Sequence, residues 1–209
     1  MSNYTEVFFD GLGVSFNIPS VAFTIGGYEV HWYGIIIAFG FALAVLYGGR
    51  TAYKWKMSLD GMTDGLVWGT PFGIVCARLY YVVFEWDYFS QNPGEIIAIW
   101  HGGIAIYGGI IGALIGGYIG AKIGKIDFAN LLDVGALGLL IGQGIGRWGN
   151  FFNQEAFGTN TETALFRMWS TKIRDELAAN QYDLLQKGME VDPNMPVHPT
   201  FLYESVWCI

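Results

Sequence analysis

Four apolar runs dominate the chain, at residues 32–49, 65–84, 102–121 and 128–146. The first and third are uncharged, the second contains only Arg78, and the fourth only Asp133 near its start. Each approaches the roughly 20 residues that cross a hydrocarbon core. Within lipid the backbone must satisfy its own hydrogen bonds, so runs of this kind fold as helices. A further apolar run begins near Phe201 and has gone only nine residues when the chain stops at Ile209, too few to cross a bilayer. The expectation is an all-α, polytopic helical membrane protein. It has about four complete spans and the start of a fifth, in a single membrane domain covering 1–209, and it reads as a truncated frame. Composition agrees, since 14% of the residues are charged, against about 25% in a soluble domain. The 30 glycines and 17% aromatics point the same way. A net charge of −7 excludes the basic stripe that a nucleic-acid partner needs.

The charges between the runs set an orientation. The first thirty residues contain no Lys or Arg, so they lack the positive start of a cleavable signal peptide, and the first span is expected to insert uncleaved. The first turn holds Arg50, Lys54 and Lys56 and the third holds Lys122 and Lys125, whereas residues 85–101 hold only acids. Basic turns face the cytoplasm, which puts the N-terminus outside. The segment after Asn150 then lies outside as well, against the pull of Arg167, Lys172, Arg174 and Lys187. This outer segment spans about 155–199. Within it Phe166, Trp169, Ile173 and Leu177 share one helical face, the pattern of an amphipathic helix on the membrane or capping the bundle.

Glycine recurs every four residues in the third run (Gly108, Gly112, Gly116, Gly120, Gly124) and in the fourth (Gly138, Gly142, Gly146). Small residues at that spacing let helix backbones approach closely in lipid. Cys76 and Cys208 both sit in apolar runs and read as packed thiols.

With this orientation the unusual polar residues gather in the outer leaflet. They are His31 and Tyr33, Arg78, His101 and Tyr107, then Arg147, Asn150, Asn153 and Glu155, and finally His198 and Tyr203. Ionisable groups at membrane depth are costly and usually functional. Two arginines without an evident carboxylate each would suit an anion, because the guanidinium fork matches phosphate oxygens. The bland alternative pairs Arg147 with Glu155 and lets Arg78 snorkel to the interface. Two other motifs fail. GIGRWG at 144–149 fits the dinucleotide pattern but follows a membrane span rather than a strand. His31, His101 and His198 lack ligand spacing, so neither metal nor cofactor is expected.

Four ordered stretches carry a resemblance: HWYG at 31–34, WHGGIAIYGG at 100–109, GRWGNFFNQE at 146–155 followed by Gly158, and HPTFLYE at 198–204. Together they resemble the prolipoprotein diacylglyceryl transferase family. The resemblance implies a transferase that moves the diacylglyceryl group of phosphatidylglycerol onto the lipobox cysteine of a prolipoprotein signal peptide. Such an enzyme works at the outer face of the bacterial plasma membrane, in the first step of lipoprotein maturation. It implies that Arg147 binds the headgroup and stabilises the departing phosphate. Asn150, Asn153 and Glu155 would orient that headgroup, with Glu155 holding Arg147 or glycerol hydroxyls. Tyr33 and His31 would line the cleft, and Arg78 would support it. Tyr107 stands where several members have a histidine proposed as base for the thiol. A tyrosine, with a pKa near about 10, is a poor base at neutral pH. Either histidine is not the base across the family, or His101 substitutes. Because the chain stops where the family continues into further spans, the product is expected to be weakly active or inactive by itself. The competing classes are a small membrane transporter or channel and a non-catalytic membrane fragment.

Overall fold

A computed structural model of the chain describes residues 4–208, apart from the side chain of His101. Among the described residues four helices are long and apolar enough to cross a membrane: α1 (Trp32–Lys54), α2 (Leu59–Phe84), α4 (Ile106–Ile123) and α5 (Phe128–Asn153), with the one-turn α3 (Trp86–Phe89) following α2. The protein is a multi-pass helical membrane protein. Local chemistry sets the helix ends. Ser58 caps α2, its hydroxyl accepting the Gly61 N–H at 3.2 Å. The third span starts at Ile106 rather than 102, because Gly102 and Gly103 hold φ of 86° and 75°, outside any right-handed helix.

The chain divides into two compact units, one comprising Val45–Leu137 and the other the chain up to Ala44 together with the chain from Gly138 on. In the first of these, α2 and α4 run antiparallel with their backbones touching. The glycine row of α4 lies on the backbone of α2, where Gly120 opposes Gly65 and the glycines nearer the start of α4 meet the Trp68, Phe72 and Cys76 carbonyls. A Cβ on Gly120 would lie 2.7 Å from the Gly65 Cα, one on Gly116 2.8 Å from the Trp68 carbonyl carbon, and one on Gly108 2.9 Å from the Ala77 Cα. Only hydrogen fits in such a seam.

The glycines of α5 behave differently. Gly138 has a methyl of Ala44 at 3.6 Å, Gly146 the Ile37 Cδ1 at 3.1 Å, and Gly142 has nothing within 4 Å. The same four-residue spacing therefore marks a tight seam in one helix and a loose surface in the other.

The second unit contains strands that the helical reading had not included. β1 (Tyr4–Phe9) and β2 (Val14–Pro19) form a hairpin, and β5 (Met168–Ser170) adds to the other edge of β1. β3 (Val21–Ile25) and β4 (Tyr28–His31) form a separate hairpin that runs directly into α1. Two short helices follow, α6 (Thr171–Gln186) and α7 (Thr200–Cys208). Val7, Ile18, Met168, Ile173, Leu177, Val197 and Phe201 make the core beneath them.

An amphipathic helix is present in this segment, but it begins later than its apolar face suggests. Residues 168–170 are drawn into strand pairing with β1, and Ser170 caps α6 through the Ile173 N–H at 3.2 Å. Ile173 and Leu177 remain on its buried face, whereas Phe166 and Trp169 lie outside the helix.

The β1–β2 turn is tied to the segment before β5 by Asp10. Its Oδ2 accepts Arg167 Nε at 2.7 Å and Nη2 at 2.6 Å, and its backbone N–H donates to the Arg167 carbonyl at 3.1 Å. The pair is half-exposed, so Asp10→Asn is expected to lower stability by at most about 1 kcal/mol. A thermal melt in detergent would measure this.

Candidate active site

Helix α5 continues through Arg147 and Asn150 and stops at Asn153 in a left-handed turn. Gln154 takes φ of 55°, its N–H donates to the Phe151 carbonyl at 3.1 Å, and the Glu155 N–H donates to the Asn150 carbonyl at 3.0 Å. This is a Schellman ending with glutamine in the position glycine usually fills. The buried Gln154 side chain turns back on the same carbonyl, Nε2 donating to Phe151 O at 2.6 Å.

The turn brings Glu155 back beside the last helical turns. Its Oε1 accepts Asn150 Nδ2 at 3.0 Å and Asn153 Nδ2 at 3.3 Å. Asn150 in turn accepts Arg147 Nη1 through Oδ1, at a long 3.4 Å. The other guanidinium nitrogen, Nη2, forms an ion pair with Glu204 of α7. The result is a chain of alternating donors and acceptors, Glu204–Arg147–Asn150–Glu155–Asn153. Arg147 therefore pairs with Glu204 and not with Glu155, because Glu155 is occupied by two amides.

Packing fixes α7 at the required distance. Trp148 Nε1 donates to the buried Ser205 hydroxyl at 3.1 Å, and Phe151 stacks on Phe201 with ring centroids 4.7 Å apart. Glu204 is the single acid in the last apolar run. That was the signal available for it, since a lone carboxylate in such a run calls for a partner.

Two signature glycines make room for neighbours. A Cβ on Gly149 would lie 2.8 Å from the Tyr33 ring, and one on Gly158 2.8 Å from the His198 Cβ. Tyr33 thus lies against the signature helix. His198 lies beside Gly158, whose N–H donates to the His198 carbonyl at 2.9 Å, and its Nδ1 shares a hydrogen bond with the Tyr203 hydroxyl at 3.1 Å. His31 ends β4 with its ring 3.9 Å from the Glu29 carboxylate.

The segment that follows α5 also reaches the site. Lys172 Nζ donates to the Asn153 carbonyl at 2.6 Å, placing a cation on the negative end of the α5 dipole. One helical turn on, burial raises the Glu176 carboxyl above the usual carboxylate range; Lys172 opposes the shift and Glu155 adds to it. A raised folded-state pKa stabilises below the unfolded value and loses that contribution as pH rises through the folded value. Glu176→Gln is therefore expected to be more stable than the parent at neutral pH, with the difference vanishing in acid below about 4.3. Melts in detergent across that range test the sign.

Arg78 and Tyr107 belong to the other unit. Arg78 does not snorkel; it is 6% exposed. Nε donates to the Ile96 carbonyl at 2.9 Å, Nη1 to Gly102 and Gly103 at 2.6 Å each, and Nη2 to Glu95 at 2.5 Å. The Phe89 ring lies 5.0 Å from its guanidinium carbon. Such a cage of carbonyls holds the 95–103 segment in place and leaves little donor capacity for an anion. Arg78→Met would strand those carbonyls. We expect a destabilisation of about 3 kcal/mol or more, read as faster proteolysis between residues 85 and 105. Tyr107 stands in the first turn of α4, largely exposed, with its ring 6.4 Å from that of Tyr80. The His101 side chain, considered above as a substitute base, lies outside the described residues.

The family model for prolipoprotein diacylglyceryl transferase matches residues 20–209. Among curated relatives, the phosphatidylglycerol–prolipoprotein diacylglyceryl transferase of Lysinibacillus sphaericus is 45% identical over 190 residues, covering 91% of this chain and 66% of that protein. The protein of the same name from Listeria monocytogenes is 46% identical over 91% of this chain and 65% of its own length. That of Limosilactobacillus reuteri is 42% identical over 93% and 67%. The chain thus spans about two thirds of the length of these relatives, slightly less for the first two. By the match across nearly its whole length, the chain belongs to the prolipoprotein diacylglyceryl transferase family.

Proposed function

We propose that this chain carries the donor-lipid site of a diacylglyceryl transferase that acts on phosphatidylglycerol and a lipobox cysteine. The observation that carries the reading is the Arg147 constellation. Its fork is fixed on one side by Glu204 and touches Asn150 on the other only at 3.4 Å. An anion could replace that long contact, and amides of Asn150 and Asn153 stand beside it for hydroxyl groups. We place this end of α5 toward the outer leaflet of the bacterial plasma membrane, from the alternation of basic and acidic turns.

In the reaction the acceptor thiolate attacks the glyceryl carbon that bears the phosphate ester. A carbon–sulfur bond forms, the carbon–oxygen bond to phosphate breaks, and glycerol phosphate leaves with the bonding pair. The thiol proton ends on the departing phosphate, so no other reactant is required. A thiolate is the competent nucleophile. Fixed positive charge at Arg147 stabilises the phosphate as its charge grows. Arg78 holds its own segment rather than touching lipid, and Tyr33 packs the signature helix. We retain Tyr107 as a catalytic candidate on its motif position alone; full turnover by Tyr107→Phe would remove it.

The test is mass spectrometry of a lipobox peptide incubated with the chain in phosphatidylglycerol vesicles. Transfer adds a diacylglyceryl group to the cysteine. Binding of phosphatidylglycerol without transfer would keep the donor site but remove the transfer step from this chain. Failure to bind the lipid at all would overturn the proposal.

A further inference from the structure

The β3–β4 hairpin has one apolar face that no part of the described protein core covers. Phe23 pairs with Val30, Ile25 with Tyr28, and Thr24 with Glu29. Cross-strand partners share a face and alternate along the strand. One side of the ribbon therefore presents Phe23, Ile25, Tyr28 and Val30, and the other Thr24 and Glu29. Ile25 is 66% and Tyr28 82% exposed. Gly26 and Gly27, with φ of 57° and 88°, close the tip in a tight two-residue turn. A two-stranded hairpin is marginal in water by itself, so an uncovered apolar face calls for an occupant.

The neighbouring structure says which one. β4 ends at His31 and α1 begins at Trp32 with no residue between them, and the Trp32 N–H donates to the Ser20 carbonyl at 3.0 Å, tying the base of the hairpin to the start of the helix. A strand of four residues reaches only about 13 Å, so the whole hairpin stays near the level where α1 enters the bilayer. From residue 11 to residue 49 the single charged side chain is Glu29, on the polar face. Aromatic residues favour the headgroup level, and Tyr28 stands at the tip.

We propose that the β3–β4 hairpin is an interfacial anchor, lying with Phe23, Ile25 and Tyr28 in the lipid headgroup and upper acyl layer and with Thr24 and Glu29 turned to water. The anchor leads directly into α1 and does not depend on the reaction proposed above.

Single cysteines at 24, 25, 28 and 29, in a chain with Cys76→Ser and Cys208→Ser, can carry an environment-sensitive fluorophore in phosphatidylcholine–phosphatidylglycerol vesicles. Lipid-borne spin labels are expected to quench positions 25 and 28 at least about twofold more than 24 and 29. In the unlabelled chain, a diazirine-bearing phospholipid should leave adducts on Phe23, Ile25 or Tyr28 and spare Thr24 and Glu29. Absence of those adducts overturns the proposal. So does protection of 25 and 28 without lipid quenching, which would mean that a polypeptide covers the face.

Discussion

Under the proposed function, Arg147→Lys is expected to reduce diacylglyceryl transfer nearly as far as Arg147→Ala, by about 100-fold or more relative to the parent, while the protein still inserts. Lysine keeps the charge but not the fork. In the parent, Nη2 is held by Glu204 while Nη1 faces Asn150. One ammonium cannot hold Glu204 and present a second, separately aimed donor to a phosphate. Drawn to Glu204, it would be withdrawn from the headgroup. Glu204→Gln should do less harm to charge than to geometry, weakening lipid binding because the guanidinium is no longer fixed. The measurement is the modified fraction of a lipobox peptide against time, normalised to inserted protein. Lysine within about threefold of the parent would show that only the charge matters, contrary to the preference for arginine at forked anion sites.

The second large effect is structural. Gly116→Leu is expected to prevent stable insertion, and Gly112→Leu likewise, whereas Gly142→Ala should be close to neutral. All three glycines lie in rows with the same spacing. A side chain at Gly116 or Gly112 meets backbone atoms of α2 around Trp68 and Phe72, which cannot move aside as a side-chain tip could. Overpacking an ordinary core costs about 1–3 kcal/mol, and a helix pair touching through its backbones has to separate along its length. At Gly142 there is open space within 4 Å. Membrane yield and tryptophan-monitored melting in detergent would separate the two rows. Equal tolerance at Gly116 and Gly142 would mean that the α2–α4 seam is not where the unit derives its stability.

Part of this contrast could have been read earlier. Gly61, Gly65, Gly69 and Gly73 repeat the spacing on α2, and a row on one helix needs a row or a groove on another. The α5 glycines have no such counterpart in close contact. Spacing states that a helix can be approached closely; it does not state by what.

The site shows the same division. Arg147, Asn150, Asn153 and Glu155 are close in sequence, so their grouping follows from helical geometry and one left-handed turn. Glu204 lies 57 residues beyond Arg147, and nothing in local periodicity brings it there. It arrives because Trp148, Phe151, Phe201 and Ser205 pack α7 against α5. Arg78 was legible as a costly group in an apolar run, but not as one enclosed by carbonyls. That cage is made by Gly102 and Gly103 in left-handed conformations and by the turns at 93–101.

Sequence by itself determined the class of the molecule. Long uncharged runs leave a backbone in lipid no choice but helices, and the ordered motifs specify the family. Tertiary structure alone decided the strands at the N-terminus, the partner of Arg147 and the glycine row that forms a seam. Strands shorter than seven residues carry weak periodic signals, and contacts between distant segments depend on packing, which no single stretch of chain encodes.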